Sequence, residues 1–217
     1  MVKHIGIVAC TAEGASLCYR TICVEGGYGH PEISMHTPSL ADYMKCIDRD
    51  DWEGVGELML TSANKLAKIG ADFVICPDNT IHQSLRFIQS RSPLPWLHIA
   101  DVVAAQARER GFKRVGLTGT KWLVNSDVYP ADYVRPTNDE REEINRIIMD
   151  ELVLGIHKPE GVAYLQRVIN RLKNDEGCDA VVLGCTEIPL IINDANSPLP
   201  TLDSTRLLAR AALRHAI

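Results

Sequence analysis

One pattern occurs twice in this chain of 217 residues, and it limits the possible folds more than any other feature. Asp72-Phe73-Val74-Ile75 followed by Asp78-Asn79-Thr80 parallels Asp179-Ala180-Val181-Val182 followed by Cys185-Thr186-Glu187. Both parts stand at an offset of 107 residues, from 72 to 179 and from 78 to 185. Ile5-Gly6-Ile7-Val8 parallels Val115-Gly116-Leu117-Thr118 at an offset of 110, from 5 to 115. Ordered matches at nearly one spacing predict a duplicated, two-lobe architecture. The repeated runs are short and apolar and end at polar residues, as do strands buried on both faces of a parallel sheet.

Helical patterns separate these strands. Val55, Leu58, Met59, Ala63, Leu66 and Ala67 recur at helical spacing and predict an amphipathic helix over 50–69, ended by Gly70. A strand is expected over 31–37. Further helices are expected from near Ala15, over 97–111 after a short strand, over 140–154 and 161–174, and over 203–216 behind an Asp-Ser-Thr cap. Alternating strands and helices give an α/β class: two pseudo-symmetric doubly wound lobes with mainly parallel sheets and an active site in the cleft between them. The expected lobes are 1–97 with 200–217, and 98–199.

The stretch from Gly177 to Leu190, GCDAVVLGCTEIPL, concentrates the chemistry. Ligands of open α/β sheets bind beyond the carboxyl ends of strands, where Cys185 is expected. Pro189 suits the first turn of a helix. If two similar lobes face each other, position 78 meets position 185 across one small molecule. Two proton-transfer groups on opposite faces of one carbon are what a cofactor-free racemase needs. A weaker anion-site signal is the Cys10-Thr11-Ala12-Glu13-Gly14 turn before a helix, which lacks the spacing of a dinucleotide or Walker loop.

Composition narrows the partners. A net charge of −5 and no Lys/Arg cluster argue against nucleic acid. No 18-residue apolar run suggests a membrane span, and the N-terminus enters a strand without a secretory pattern. Seven scattered cysteines with no C-x-x-C pair resemble neither a disulfide framework nor a zinc site, so a reducing cytoplasm is expected.

The opening G-I-V strand, Asn79-Thr80-Ile81-His82, the L-x-G-T of 117–120 and the Gly184-Cys185-Thr186-Glu187-Ile188-Pro189 run together resemble the aspartate/glutamate racemase superfamily. The resemblance covers nearly the whole chain. It implies two α/β lobes, a homodimer, an amino-acid or dicarboxylate substrate, and catalysis by one cysteine from each lobe without pyridoxal phosphate or metal. Cys185 matches the second of those cysteines. Asn79, Thr80 and Thr186 match residues that hold the substrate carboxylate, and Thr120, Cys10 and Thr11 line the same pocket.

The chain departs from that pattern at one position: Asp78 stands where the family carries its first cysteine. Cys76 lies two residues earlier and is expected in the core. Two loops, near 24–30 and 129–134, are short for the family. With a reference pKa near 3.9 against about 8.5 for a thiol, Asp78 is the weaker base unless burial and a neighbouring thiolate raise it. Asp78 is then an atypical acid/base partner of Cys185, a group for the substrate ammonium, or a loop residue capping the next turn. The activities that follow are an amino-acid racemase or epimerase, a one-cysteine dicarboxylate isomerase or decarboxylase, or a catalytically weak binding homologue. Glu187 is open between substrate contact and an acidic group at a helix start. His82 is expected to fix its loop, and Glu140–Arg146 to be a solvated helix face.

Overall fold

A computed structural model describes all 217 residues and divides them into two units, residues 1–102 with 205–217 and residues 103–204. In the first unit β1 (Ile5–Val8) leads to α1 (Ala12–Gly26). The helix starts three residues before Ala15, because the Thr11 side chain accepts the Gly14 N–H and satisfies one of the orphan donors of the first turn. One 3-10 turn at 27–29 then joins α1 to β2 (Ile33–His36), which accounts for the short 24–30 segment. Next come α2 (Leu40–Ile47) and α3 (Trp52–Lys68). Only Tyr43 and Ile47 of α2 are buried, too few to make a periodicity visible in the sequence. Asp51 caps α3 on Gly54 N–H at 2.8 Å, and Gly70, at φ 90°, follows its end. The chain continues through β3 (Phe73–Ile75), α4 (Leu85–Ile88), β4 (Trp96–Leu97) and α5 (Ile99–Glu109).

The second unit holds β5 (Val115–Thr118), α6 (Lys121–Val124), α7 (Asn138–Asp150), α8 (Pro159–Asn174), β6 (Ala180–Leu183) and β7 (Thr201–Asp203). α9 (Ser204–Ala216) returns to the first. Three details differ from the sequence reading. The Pro189 segment is a single 3-10 turn over 188–190 and not a helix, since the turn stops at Leu190. Residues 201–203 are a strand, so α9 starts after Asp203. The 140–154 helix breaks at Glu151, whose φ of −127° is not helical, and only a 3-10 turn follows.

Both sheets are parallel, in the orders β2-β1-β3-β4 and β5-β6-β7. The repeat read from the sequence reappears as one register. Ile5, Gly6 and Ile7 lie opposite Phe73, Val74 and Ile75, and Val115, Gly116 and Leu117 lie opposite Ala180, Val181 and Val182. Gly116 also bridges Val134 in parallel, as Gly6 pairs with Ser34 of β2, so the 129–134 loop ends in a vestige of a fourth strand. The repeated aspartates act alike. Asp72 Oδ2 accepts the His4 N–H at 2.7 Å, and Asp179 accepts the N–H groups of Lys113 (2.7 Å) and Arg114 (3.1 Å). Each aspartate clasps the entry of the strand beside its own.

Helices cover both faces of the first sheet. Ile5, Ile7, Phe73 and Ile75 pack on α1 and α9 through Cys18, Ile22, Leu208 and Ala212. On the other face, a Cβ at Gly6 would lie 2.9 Å from Val74, 3.2 Å from Ala71 and 3.3 Å from Leu66 of α3, so a side chain there would press on β3 and the helix packed over it. In the second unit Leu165, Val168, Ile169 and Leu172 of α8 pack with Val181 and Leu183. At roughly 1.5–3 kcal/mol for each fully buried aliphatic side chain, this face outweighs anything the ends of α8 contribute, where Lys158 makes no side-chain cap. The 140–146 stretch is not wholly solvated. Glu140 forms a two-bonded ion pair with Arg171 at 2.6 Å, and Asn145 is buried and accepts the Lys121 N–H. No helix is long and apolar enough to cross a membrane.

Replacing Asp179 by alanine removes two hydrogen bonds to backbone and is expected to cost about 1–3 kcal/mol. Asp175→Ala, an exposed change next to the same turn, should stay within about 0.5 kcal/mol. Urea unfolding of both variants checks the contrast.

Candidate active site

In the first unit the polar residues cluster at the carboxyl edge of the sheet. The order β2-β1-β3 makes His36, the Cys10-Thr11 turn and the 76–80 segment neighbours there. Beyond the last paired residues, Ile7 and Ile75, the two strands run on into the Cys10-Thr11 turn and the 76–80 segment. Asp78 is half-buried, and its Oδ1 accepts the Ile81 N–H at 3.1 Å. Asn79 and Thr80 are buried beside it. The Cys76 thiol donates to the Asp78 carbonyl at 3.8 Å. Burial, reinforced by Asp78, holds its pKa well above the ordinary thiol range, so Cys76 is a protonated core group.

His82 closes this loop. Its Nε2 lies 3.0 Å from the Cys76 carbonyl and must carry the proton, since a carbonyl can only accept. Nδ1 is buried without a partner, and His98 stacks edge-on at 4.7 Å. Burial, then the neighbouring His98, push the His82 pKa down to about 3, so the imidazole is neutral. Three internal hydrogen bonds therefore fix the backbone that presents Asp78.

The second unit builds its counterpart on two glycines. Gly184 N–H donates to the Thr118 carbonyl at 2.8 Å, and a Cβ on Gly184 would lie 2.6 Å from that oxygen. A Cβ on Gly119 would lie 3.0 Å from the Gly184 carbonyl. The turn carrying Thr120 thus lies against the strand end carrying Cys185. Thr120 caps α6 on the Leu123 N–H at 3.2 Å. Ser204 supports the strand from behind, donating to the Leu183 carbonyl at 2.8 Å.

Cys185 is 7% exposed, and its thiol donates to Glu187 Oε2 at 2.9 Å. The Thr186 hydroxyl donates to the same oxygen at 2.7 Å. Glu187 is itself 1% exposed, and its Oε1 has no hydrogen-bond partner. A buried acceptor left open is uncommon and costly, and it marks a place where a donor is expected. The sequence left Glu187 undecided, and no spacing rule shows that its carboxylate turns back onto the thiol. Chemically, this is a thiol beside a proton acceptor. At the equivalent positions of the first unit stand Asp78 and Thr80, a carboxylate beside a hydroxyl.

Residues 8–212 match the family model described as Asp/Glu/Hydantoin racemase. The chain is 26% identical to a broad-specificity amino-acid racemase of Bacillus subtilis (strain 168), over 86% of this chain and 81% of that protein. Among solved structures it resembles an aspartate racemase homologue from Pyrococcus horikoshii OT3, with a TM-score of 0.84, 29% identity and 99% of each chain covered. An aspartate racemase of Picrophilus torridus shares the fold, with a TM-score of 0.77 at 20% identity over 99% of this chain and 94% of the other.

The buried neutral His82 makes a pH prediction. Its pKa is lower folded (about 3) than unfolded (6.5), so the unfolded chain binds more protons between these values. The contribution is complete above about pH 6.5 and is lost as pH falls toward 3, at up to about 1.4 kcal/mol per unit. In His82→Gln the loss of stability between pH 6.5 and 4.5, read from urea midpoints, should be clearly shallower than in the parent. An unchanged slope contradicts the assignment.

Proposed function

The chain belongs to the Asp/Glu/Hydantoin racemase family, and on that premise we propose that it is a cofactor-independent amino-acid racemase or epimerase with Cys185 and Asp78 as its acid/base groups. The observation that carries this reading is the Cys185 thiol held 2.9 Å from a buried carboxylate oxygen. In one direction Asp78 removes the α-proton as a carboxylate, and Cys185 gives its S–H proton to the opposite face of the planar carbon. In the other direction Glu187 orients the thiol and takes its proton, freeing a thiolate to attack the α-hydrogen. Asn79, Thr80 and Thr186 hold the substrate carboxylate, with Thr120, Cys10 and Thr11 around it. The likeness to a broad-specificity racemase favours a range of amino acids over aspartate or glutamate alone.

One observation favours a second reading. Asp78 Oδ1 is engaged by the Ile81 N–H, as expected of a residue that shapes the loop or binds an ammonium group. Cys185 is then the single proton donor of a dicarboxylate isomerase or decarboxylase.

Proton NMR in D₂O separates the two. Loss of the α-proton signal from one or more amino acids in a panel of both enantiomers is expected, and Cys185→Ser should slow it by about 10²–10⁴. Asp78→Cys should raise the rate. No exchange with any amino acid, or a product other than the mirror image, moves the assignment to the second reading.

A further inference from the structure

Six buried side-chain polar atoms have no hydrogen-bond partner, and Glu187 Oε1 is the only one of them on an acidic group. The others belong to tyrosine, serine, threonine and histidine side chains, which are tolerable inside a protein in their neutral forms. A buried carboxylate asks for more, normally an opposite charge as well as hydrogen bonds. Glu187 is 1% exposed, and the Cys185 thiol at 2.9 Å and the Thr186 hydroxyl at 2.7 Å both donate to its Oε2. Neither donor is a cation. One oxygen of this carboxylate is therefore doubly served, while the other is buried and open.

Covalent structure limits where the open oxygen lies. Oε1 and Oε2 share one carbon, so Oε1 stands next to the oxygen that holds the sulfur. In a proton transfer at an α-carbon the sulfur faces the α-hydrogen, and the amino nitrogen is bonded to that same carbon. Cys185 is itself only 7% exposed, so an opening of this strand end that admits an α-carbon to the sulfur also admits the group beside it. An α-ammonium brings what the carboxylate lacks, N–H donors that carry a positive charge. Asp78 is the other acidic group named for that role, but its Oδ1 is already engaged by the Ile81 N–H, and the residue is half-buried, within reach of water.

We propose that Glu187 holds the substrate α-ammonium through Oε1 and so restricts this site to α-amino acids. The proposal rests on the racemase reading. One carboxylate then serves both partners of the reaction, Oε2 the thiol and Oε1 the ammonium. Charge stays balanced throughout. Before transfer the carboxylate faces the ammonium. When the S–H proton passes to Oε2, the S–H bond breaks, an O–H bond forms and the negative charge moves to sulfur, still beside the ammonium. Oε1 keeps its lone pairs for the N–H groups. The thiolate then takes the α-hydrogen as a proton, and the electron pair of the C–H bond stays on the α-carbon. An α-hydroxy acid, or a dicarboxylate without an amino group, brings no cation and leaves the buried charge unanswered.

Calorimetric dissociation constants test this, measured with racemic ligands, whose composition turnover leaves unchanged. The ligands are the amino acid that exchanges its α-proton fastest in D₂O and its α-hydroxy analogue. The proteins are the parent and Glu187→Gln, which keeps the size of the side chain and an amide oxygen for the thiol. The parent should bind the amino acid at least about tenfold more tightly than the hydroxy acid, and in Glu187→Gln that ratio should fall to within about twofold. A residue that only orients the thiol or supports the fold would slow turnover, or weaken both ligands alike, without changing the ratio. A parent that shows no such preference overturns the proposal, and that result needs no variant to fold. So does a preference that survives in Glu187→Gln, which would put the ammonium on another group. If no amino acid exchanges its α-proton in D₂O, the racemase reading fails first, and this assignment fails with it.

Discussion

The parallel pairing of β1 with β3, and of β5 with β6, is the constraint on which the remaining features depend. These strands are buried on both faces, so every backbone N–H and C=O in them must find its partner within the sheet. Once Ile5 lies opposite Phe73 and Val115 opposite Ala180, the strand ends are fixed to within a residue. Asp72 and Asp179 secure the entry of each pair, and the glycines at 6 and 116 admit the helix or strand packed against it. Asp78 and Cys185 then follow just beyond the last paired positions.

The two halves share a frame and differ in chemistry. Cys185 has a carboxylate acceptor two residues on, and Asp78 has a threonine there. The sulfur of Cys185 has a proton acceptor beside it at its own strand end, whereas the Asp78 carboxylate is engaged by the Ile81 N–H.

Much of this was legible in the sequence. The offset of 107 between Asp72 and Asp179 foretold the shared register, because β-pairing in a dry core leaves little freedom once two strands repeat. Gly184 followed by Cys185 was read as a strand end, and the thiol does lie just past β6. Other features were not legible, each for a physical reason. α2 buries only two side chains, so no period emerges from eight residues. Glu187 bends back on Cys185 through side-chain torsions that spacing does not record.

The 76–82 loop is tied together by the Cys76 thiol, the His82 imidazole and the Ile81 N–H, and only the last of these uses the side chain of residue 78. The loop therefore behaves as a socket, whose shape is held mainly by groups other than the one it presents. A socket of this kind tolerates exchange of its occupant. The side chain at position 78 can then vary while the neighbouring backbone keeps its course. A duplicated scaffold with such a loop can thus change the acid–base character of one half without redesigning either.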